Sequence, residues 1–565
     1  MNNVTVERVM NSIAHNKYSS FFVSSAAGSV RIVFALLSLT AAANVSALDA
    51  VVGTGTPASC TETTFDAALA LVVNDSQGGT LTFNCGPDPD IILFSAPKNL
   101  LNFVAIDGGG KITLDGQNQT RLFNINQDGP EGRTEVTLRN INLNRGNSGV
   151  EPFGGAILVN ANTRLVLDQV MISNSLASVA GGAIATFAGV ILDINNSRFL
   201  SNLAANGGAI ATRAVVTVAG SSFTNNNASG GEGGAIQSYD QTLNIQSSNF
   251  GGNGARNGGA IFKSSGNLEF AGSSFTGNSS TEHGGALNVG AVVAALYGSA
   301  SQFRGNSAGL DGGGIFLGTL SALQDLTMAG NSARAGGAIR VNGGDLTLDR
   351  ATLFNNTALV EGGAISALVV SAQAQTNPNL DRVTTSGNRT TAGNGGDFAF
   401  TSSVVDIRAR LRNLTLMGAT ASAGGSTLHI SGTMGVDIEQ TLLWPGAGVA
   451  CVSQTGAIFS LGGNIGSPLC GMVAPSDATS TTFEGFGLGE FANYGSALDT
   501  FLPLPASPAI DRSQRSCSFD ARRKPAPVDG DGNGSALCDA GAVERQRIEV
   551  PAALFRDGFE SELSI

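Results

Sequence analysis

The sequence predicts an all-β fold, a single-stranded right-handed parallel β-helix in which each turn of the chain stacks on the previous one. Two repeated motifs and an unusual composition support this prediction. A Gly-Gly pair, followed in most copies by Ala and Ile, recurs about every 26 residues, and a repeat of this length is typical of a solenoid. The pairs begin at Gly154, Gly181, Gly207, Gly233, Gly258, Gly284, Gly313, Gly336 and Gly362.

The second motif is an apolar residue, two spacers and an Asn, as in Phe199 to Asn202 and Phe223 to Asn226. Between the motifs lie short segments that alternate apolar and polar residues, such as 216–218, which is the pattern of a half-buried strand. We expect each Gly pair to form a corner that needs positive φ or a close backbone approach. We also expect the Asn and Phe side chains to stack in ladders from turn to turn.

The composition fits one long repeat array better than several globular domains. The chain has 565 residues with 76 Gly, and only 13% of its residues are charged, whereas ordinary domains carry about 25%. The net charge of −12 argues against a nucleic-acid partner, because such a partner requires a basic surface. We expect a monomer that binds no nucleic acid.

Residues 1–47 have the features of a secretory signal peptide. Basic residues precede a short apolar run at 32–43, and Val45-Ser46-Ala47 is a cleavage site of the small-residue type. The alternative is an uncleaved membrane anchor. No later segment reaches about 18 consecutive apolar residues, so we expect no transmembrane segment in the mature chain.

The cysteines support an exported protein. They fall into three pairs that are local in sequence and lie near the two ends of the chain, and we predict that each pair forms a disulfide in an oxidising compartment. The pairs are Cys60 with Cys85, Cys451 with Cys470, and Cys517 with Cys538.

Over residues 140–400, the two motifs together resemble the repeats of polymorphic outer-membrane proteins, a family of bacterial parallel β-helix proteins. The resemblance implies a β-helix displayed at the surface of a Gram-negative cell, commonly for adhesion. The chain departs from that family because residues 400–565 lack the series of alternating strands that a translocator barrel needs, so we do not expect self-export.

The ends of the chain differ in sequence pattern from the repeats. Residues 48–100 are predicted to form an N-terminal cap and the first coil, with a helix-compatible segment at 64–73 and a strand at 79–83. Such a cap would cover the apolar core and the unpaired strand edges at the open end. Residues 101–460 are assigned to the β-helix itself.

Residues 461–545 resemble the choice-of-anchor Q region of bacterial β-helix proteins. The resemblance rests on the order of segments 462–466, 507–511, 529–534, 538–539 and 541–544. It implies that a sorting or anchoring tail follows. Residues 546–565 would be that tail, and the alternative is an ordinary polar terminus.

The loop at 529–534 is a candidate calcium site. Asp529, Asp531 and Asn533 place oxygen ligands at positions 1, 3 and 5 of an EF-hand-like loop, but position 12 is Ala540, which excludes an EF-hand proper. Asp539 or Glu544 is expected to supply the missing carboxylate. The alternative is an Asp- and Gly-rich turn held by the neighbouring disulfide.

Evidence for a catalytic site in the sequence is weak. Glycoside hydrolysis usually needs two neighbouring carboxylates, and the sequence contains no Asp-Asp pair. Asp168 and Asp193 form a near-register pair of carboxylates about 25 residues apart. His283 and His429 stand alone in the sequence. The best charged set for a polysaccharide lyase consists of Asp311, Arg334, Arg340, Asp345 and Asp349. Both sets are more simply exposed faces of strands.

We therefore predict a secreted or cell-surface protein with an adhesion, binding or structural role toward glycans or surface partners. The alternative is a polysaccharide lyase or glycoside hydrolase that acts on extracellular polysaccharide. Aromatic platforms for sugar stacking would favour binding. The candidates besides Phe are Tyr239, Tyr297, Trp444 and Tyr494.

Overall fold

The structure is a computed structural model that describes residues 47–75, 77–126, 134–370, 376–467, 470–480, 482–513 and 516–547. The predicted signal peptide, apart from Ala47, and residues 548–565 of the predicted tail lie outside the described residues. The chain winds into a right-handed parallel β-solenoid of about 15 turns, as predicted. Each full turn contributes strands to three parallel sheets, which we call face 1, face 2 and face 3 in chain order.

Face 1 follows the Gly-Gly corner. Its strands are Lys98–Leu100, Phe123–Ile125, Ile157–Val159, Ile184–Thr186, Ile210–Thr212, Ile236–Ser238, Ile315–Leu317, Ile339–Asn342, Ile365–Val369, Phe398–Ser402, Leu428–Gly432 and Cys451–Ser453. In the described part of the chain, two strands continue from face 1 into face 2, namely Ile261–Ala271 and Leu287–Ser299.

Face 2 has nine strands of its own among the described residues: Ala50–Val52, Gly79–Phe83, Thr163–Asp168, Ile191–Asn195, Val215–Ala219, Leu243–Gln246, Arg408–Arg412, Gly435–Glu439 and Ala457–Gly462. Five longer strands bend from face 2 into face 3: Phe103–Asp115, Thr134–Asn144, Ser321–Ala329, Leu346–Phe354 and Thr376–Ser386.

Face 3 is built from short strands. These are Asp90–Leu93, Met171–Ser173, Arg198–Leu200, Ser222–Thr224, Asn249–Gly251, Ser274–Thr276, Gln302–Arg304, Thr415–Ala421, Leu442–Pro445, Ile465–Gly466 and Ala478–Thr479. A narrow fourth strip follows face 3, with Leu203–Ala204, Asn227–Ala228, Gly254–Ala255, Ser279–Ser280, Ser307–Ala308, Ser332–Ala335, Thr357–Glu361 and Arg389–Thr390.

The Gly-Gly pairs form corners, as predicted. Gly207 has φ 56°, a left-handed conformation, and a Cβ on Gly208 would lie 2.2 Å from the carbonyl oxygen of Gly234 on the next turn. The first position thus needs conformational freedom and the second needs the absence of a side chain. In one turn the corner begins one residue before the predicted pair at Gly313, because Gly312 has the positive φ and precedes the closely packed Gly313.

The predicted Asn ladder fills a buried corner of the core. Asn226 is fully buried, and its Nδ2 donates to the carbonyl oxygen of Phe199 at 3.0 Å and to Oδ1 of Asn253 at 3.1 Å. The same bonds recur along the stack, so each amide satisfies a neighbour that would otherwise be a buried unpaired polar group. The ladder contains Asn202, Asn226, Asn253, Asn278, Asn306, Asn331, Asn356 and Asn388.

The ladder ends on a buried carboxyl group. Asp397 takes the position of Ala in the repeat, and its oxygens accept hydrogen bonds from Asn388 Nδ2 at 2.8 Å and Thr385 Oγ1 at 2.9 Å. Complete burial raises the pKa of Asp397 to about 7, and the two hydrogen bonds act in the opposite direction. Beside this ladder, Phe rings stack with centroids 4.6–5.0 Å apart from Phe199 to Phe303.

An α-helix, Glu62–Val73, covers the first turns. Thr61 and Thr64 form a reciprocal cap at its start, and Phe65 packs 4.9 Å from Phe94 in the core. Lys98 on face 1 donates to Glu62 at 2.7 Å, which ties the helix to the solenoid. The helix agrees with the predicted cap, although parallel pairing already starts at Ala50–Val52, ahead of the helix.

Residues 482–513 and 516–547 fold back onto face 3. They contain an antiparallel pair, Leu488–Asn493 with Asp499–Pro503, and a 3-10 helix, Glu484–Phe486; another 3-10 helix, Pro57–Ser59, precedes the α-helix. Thr352 Oγ1 donates to the carbonyl oxygen of Asp499 at 2.7 Å, which anchors the pair on the solenoid.

Three disulfides form as predicted. Cys60–Cys85, Cys451–Cys470 and Cys517–Cys538 have Cα–Cα distances of 5.6, 5.1 and 6.1 Å. Disulfides are typical of proteins outside the cytosol. In the described part of the chain, none of the helices has the length and apolar character needed to cross a membrane.

Candidate functional site

An open groove of about 390 Å³ runs along the outer side of face 2. Its lining comes from five successive turns, and the strand register arranges the outward side chains in two columns. The first column is Asn244, Glu269, Tyr297, Ala322 and Thr347, and the second is Gln246, Ala271, Ser299, Gln324 and Asp349. Neighbouring strands lie about 4.8 Å apart, so each column is a regular row of side chains.

Tyr297 is the exposed aromatic residue of this groove. Its side chain is 47% exposed, and in the first column it lies between Glu269 and Ala322. The small side chains of Ala322 and Ser299 leave space around the ring. A tyrosine in this setting offers an apolar ring and a polar hydroxyl together, which suits the apolar and hydroxyl-bearing sides of a sugar.

The floor beneath Tyr297 depends on a glycine. Gly298 occupies an inward-facing position of its strand. A Cβ at this position would lie 2.2 Å from the ring of Phe270 on the preceding turn. The missing side chain of Gly298 therefore makes room for the Phe270 ring, which is 3% exposed and contributes to the groove lining.

The other candidate platforms have different surroundings. The ring of Tyr239 lies under the guanidinium of Arg213 at 5.1 Å, and its hydroxyl accepts a hydrogen bond from Gln237. Tyr494 is 7% exposed, so it cannot serve as an open platform. Trp444 lies on the face 3 side, half-buried against Phe483 at 5.3 Å.

Amide and carboxylate groups supply the polar lining. Gln246 Nε2 donates to Asn244 Oδ1 at 3.4 Å, and Arg350 donates to Gln324 Oε1 at 3.1 Å. Among the described residues, no Lys or Arg nitrogen lies within 4.0 Å of the Glu269 carboxylate. These groups offer the donors and acceptors that sugar hydroxyls require.

The groove ends at Asp349, next to the corner between faces 2 and 3. The Asp349 carboxylate binds Arg350 and lies 2.6 Å from an Arg382 nitrogen. Burial raises the pKa of Asp349, while the two guanidinium groups act in the opposite direction.

The same corner holds the C-terminal region on the solenoid. Arg523 donates to Asp325 at 2.6 Å, and Arg350 binds the same carboxylate at 2.8 Å. The Phe519 ring lies 5.5 Å from the Arg350 guanidinium and 4.8 Å from that of Arg382. The charges at this corner therefore have a structural role in docking the C-terminal region.

The groove is better arranged for binding than for glycoside hydrolysis. Its two carboxylates, Glu269 and Asp349, are three turns apart, which corresponds to roughly 14 Å at the spacing of neighbouring strands. Pairs of catalytic carboxylates in glycosidases lie about 5–9.5 Å apart.

The charged set predicted for a lyase does not converge in one place. Asp311 pairs with Arg334 at 2.9 Å near the Gly-Gly corner, and Arg340 pairs with Glu361 on face 1. Asp345 accepts a hydrogen bond from Asn377 at 3.0 Å, and burial raises its pKa. Asp349 belongs to the end of the face 2 groove.

The predicted pair of Asp168 and Asp193 is offset by two positions along face 2. Asp193 lies opposite Val166, and Asp168 lies opposite Asn195. Asp193 pairs with Arg164 at 2.8 Å, and Asp168 accepts a hydrogen bond from Asn196 at 3.2 Å. Both act as outward strand residues with local partners.

His283 is not isolated, in contrast to the interpretation of the sequence. Its Nδ1 lies 3.8 Å from Asp311, and its ring lies 4.6 Å from that of Phe316. Asp311 also binds Arg334, so His283 lies beside a local ion pair at the Gly-Gly corner. Burial lowers the pKa of His429, with Glu361 acting in the opposite direction.

The predicted calcium ligands lie in two neighbouring groups of residues. Carboxylate oxygens of Asp529 and Asp531 lie within 4.8 Å of each other and of Asp511, which the sequence interpretation missed. Oδ2 of Asp511 is buried and has no hydrogen-bond partner in the described structure. The fold brings Asp511 close to the Cys517–Cys538 disulfide, where it accepts a hydrogen bond from the backbone N–H of Leu537, beside Cys538.

Asn533 and Asp539 have other contacts. Asn533 donates to Asp531 at 2.9 Å, so it stays within the loop. Asp539 accepts backbone hydrogen bonds from Asp511 at 2.8 Å and Arg545 at 2.7 Å. Burial, together with the charge of Glu544, raises the pKa of Asp539 to about 8.

Comparisons with known proteins identify no family for this chain. No family model and no curated protein matches the chain in sequence. Tailspike protein 3 of bacteriophage CBA120 has 11% identity and a TM-score of 0.32, with 72% of this chain covered, and this chain spans 60% of the tailspike's length. The Streptococcus pneumoniae surface adhesin PfbA has 11% identity and a TM-score of 0.30, covering 77% of this chain and 98% of PfbA.

A PL6 family alginate lyase, AlyGC, has 9% identity and a TM-score of 0.25, covering 77% of this chain and 81% of the lyase. Structural similarities at this level carry no argument about this chain. The resemblances to polymorphic outer-membrane proteins and to the choice-of-anchor Q region have no matching family model and stay predictions. The chain is a disulfide-bonded parallel β-solenoid with an open groove on face 2.

Proposed function

We propose that the protein acts outside the cell, secreted or at the surface of a Gram-negative bacterium after export by an N-terminal signal peptide, and binds a glycan in the face 2 groove. The observation that carries this proposal is the exposed Tyr297 ring in a groove lined by Glu269, Asn244, Gln246 and Gln324. Repetition of the turns gives a row of hydrogen-bonding groups that a linear polymer can follow.

The binding proposal is tested with a glycan array on residues 48–545, followed by calorimetry with the best-binding oligosaccharide. Tyr297→Ala is expected to weaken binding by about tenfold, because it removes the stacking surface. Tyr239→Ala, outside the groove, is the matched control and should leave the affinity unchanged. Equal loss in both variants, or no glycan binding by the wild type, would contradict the proposal.

The alternative is a polysaccharide lyase or hydrolase that uses the same groove. The separation of Glu269 and Asp349 does not favour a hydrolase. Incubating each bound glycan with the protein and separating the products by size distinguishes the two functions. Shortened chains would replace the binding proposal with an enzymatic one.

We also propose that Asp511, Asp529 and Asp531 hold a calcium ion. The donor set consists of carboxylate oxygens, which Ca²⁺ prefers, and the buried unpartnered Oδ2 of Asp511 fits a cation ligand. A bound ion would offset the repulsion among these carboxylates and brace the loop at 529–534.

Thermal melting with calcium and with EDTA tests this second proposal. Calcium at 100 times its dissociation constant stabilises the folded state by about 2.7 kcal/mol, so chelation should lower the Tm. Asp529→Asn should abolish the shift, and the exposed Asp88→Asn should preserve it. A wild-type Tm that is the same in both buffers would remove calcium from the account.

A further inference from the structure

The charge of the face 2 groove is uneven. Among the described residues that line it, none is a lysine or an arginine. The two carboxylates also differ, because Asp349 is bound by Arg350 and Arg382, whereas Glu269 has no such partner in the described structure. The uncompensated negative charge of the groove is therefore concentrated at Glu269.

Glu269 lies in register with Tyr297 on the adjacent strand. With strands about 4.8 Å apart, a sugar ring stacked on Tyr297 lies within reach of the Glu269 carboxylate. Sugar hydroxyls can donate hydrogen bonds to that carboxylate, and bonds to a charged acceptor are stronger than neutral ones. An acidic substituent on the same sugar would instead place two negative charges side by side, which is costly.

The charge of the whole chain acts in the same direction. Its net charge of −12 disfavours the approach of a polyanion over distances longer than a single contact. The local and the global charge thus both oppose a uronate or sulfated polymer. Neither opposes a neutral one.

Building on the glycan-binding function proposed above, we infer that the face 2 groove selects glycans without acidic groups and that Glu269 determines this selectivity. Glu269 accepts hydroxyl hydrogen bonds from a neutral sugar on Tyr297 and repels a uronate at the same position. A polyuronate is therefore a poor ligand for this groove.

The experiment compares wild type, Glu269→Gln and Glu269→Lys in binding to a neutral panel (β-glucan, mannan, galactan) and an acidic panel (polygalacturonate, alginate). Glu282→Lys makes the same change in net charge at a half-buried site outside the groove lining and is the control. Circular dichroism and melting confirm that each variant is folded. All measurements use one fixed ionic strength, because screening by salt changes the difference in affinity between neutral and acidic glycans.

The wild type should bind at least one neutral glycan and bind the polyuronates at least about tenfold more weakly. Glu269→Lys should improve polyuronate binding by about tenfold or more, Glu269→Gln should improve it less, and Glu282→Lys should leave it near the wild-type value. If the wild type binds polyuronates as tightly as neutral glycans, or if Glu282→Lys matches Glu269→Lys, the selectivity inference is wrong and glycan binding stands. If the wild type binds neither panel, the proposed function itself fails.

Discussion

Face 2 and face 3 are built from the same repeating turns, yet they have opposite surroundings. From Thr352 onward, face 3 is covered by the C-terminal region through contacts such as Thr352 with Asp499, Thr384 with Thr500, and Phe354 with Phe491. Face 2 between Leu243 and Asp349 carries an open groove instead. The comparison separates residues that hold the molecule together from residues that are free to bind a ligand.

Charged residues illustrate the difference. At the corner between the faces, Arg350 pairs with Asp325 and Asp349, and Arg382 pairs with Asp349. Phe519 and Arg523 of the C-terminal region dock on these charges. On face 2, Glu269 remains without an ionic partner among the described residues. We expect substitutions at the corner and in the core to change stability, and substitutions in the groove to change binding alone.

The largest stability effect is expected in the Asn ladder. Asn278→Ala removes the acceptor of Asn253 Nδ2 and the donor to the Phe250 carbonyl oxygen, and leaves these groups buried. Each unsatisfied group costs about 1–3 kcal/mol, so we expect a loss of about 4 kcal/mol in the free energy of unfolding. Denaturant unfolding measures it. The exposed Asn249→Ala, on the preceding turn, should cost less than about 0.5 kcal/mol, and similar losses in both would contradict the ladder's role.

The end of the ladder should give a pH effect of comparable size. Because the folded-state pKa of Asp397 is raised to about 7, the native state holds a proton there that the unfolded state releases above its pKa near 3.8. Binding of this proton by Asp397 therefore stabilises the folded state at low pH. This stabilisation, on the order of 4 kcal/mol, is lost as the pH rises from about 4 to 7.

Asp397→Asn keeps the shape of the side chain and one acceptor oxygen, but the new side chain cannot ionise. Relative to wild type, this variant should therefore gain stability as the pH is raised from 5 to 8, as followed by melting at each pH. Parallel pH profiles for the two proteins would show that Asp397 does not titrate in this range.

The corner between the faces should give an intermediate effect. Asp325 has φ 54°, which Asn also tolerates, so Asp325→Asn should keep the backbone conformation. The substitution leaves Arg350 and Arg523 without this carboxylate, and we expect a loss of about 2 kcal/mol in the free energy of unfolding. Limited proteolysis should then cut residues 482–547 faster. Asp240→Asn has a similar φ of 65° and breaks an exposed pair with Arg213, so its effect should be small. Equal proteolysis of the two variants would show that the corner does not dock the C-terminal region.

The smallest stability effects are expected on face 2. Glu269→Gln and Tyr297→Ala should each change the free energy of unfolding by less than about 0.5 kcal/mol, because neither leaves a buried polar group unpaired. Denaturant unfolding at neutral pH is the measurement. A loss above about 2 kcal/mol in either variant would mean that the residue is structural and would weaken the binding account.

The sequence predicts the fold well because the repeat encodes it directly. Gly207 and Gly208, Asn226 and Phe223 each have a role that follows from one turn and its neighbour, so spacing alone reveals it. The three disulfides follow for a similar reason, since their partners are close along the chain.

The groove is harder to predict, because it depends on register and on coverage. Glu269 and Tyr297 are 28 positions apart, and only an alignment of successive turns places them side by side. That Asp349 faces Arg382, and that Asp511 joins Asp529, depends on how the corners and the C-terminal region fold back. The repeat motifs contain no information about that packing.

The most direct test of the account is a crystal structure of residues 48–545 soaked with the neutral oligosaccharide that binds best in the array. We expect a sugar ring to lie on Tyr297, with a hydroxyl within about 3 Å of the Glu269 carboxylate. A sugar bound elsewhere, such as at the His283, Asp311 and Arg334 cluster, with the face 2 groove free of ligand, would contradict it.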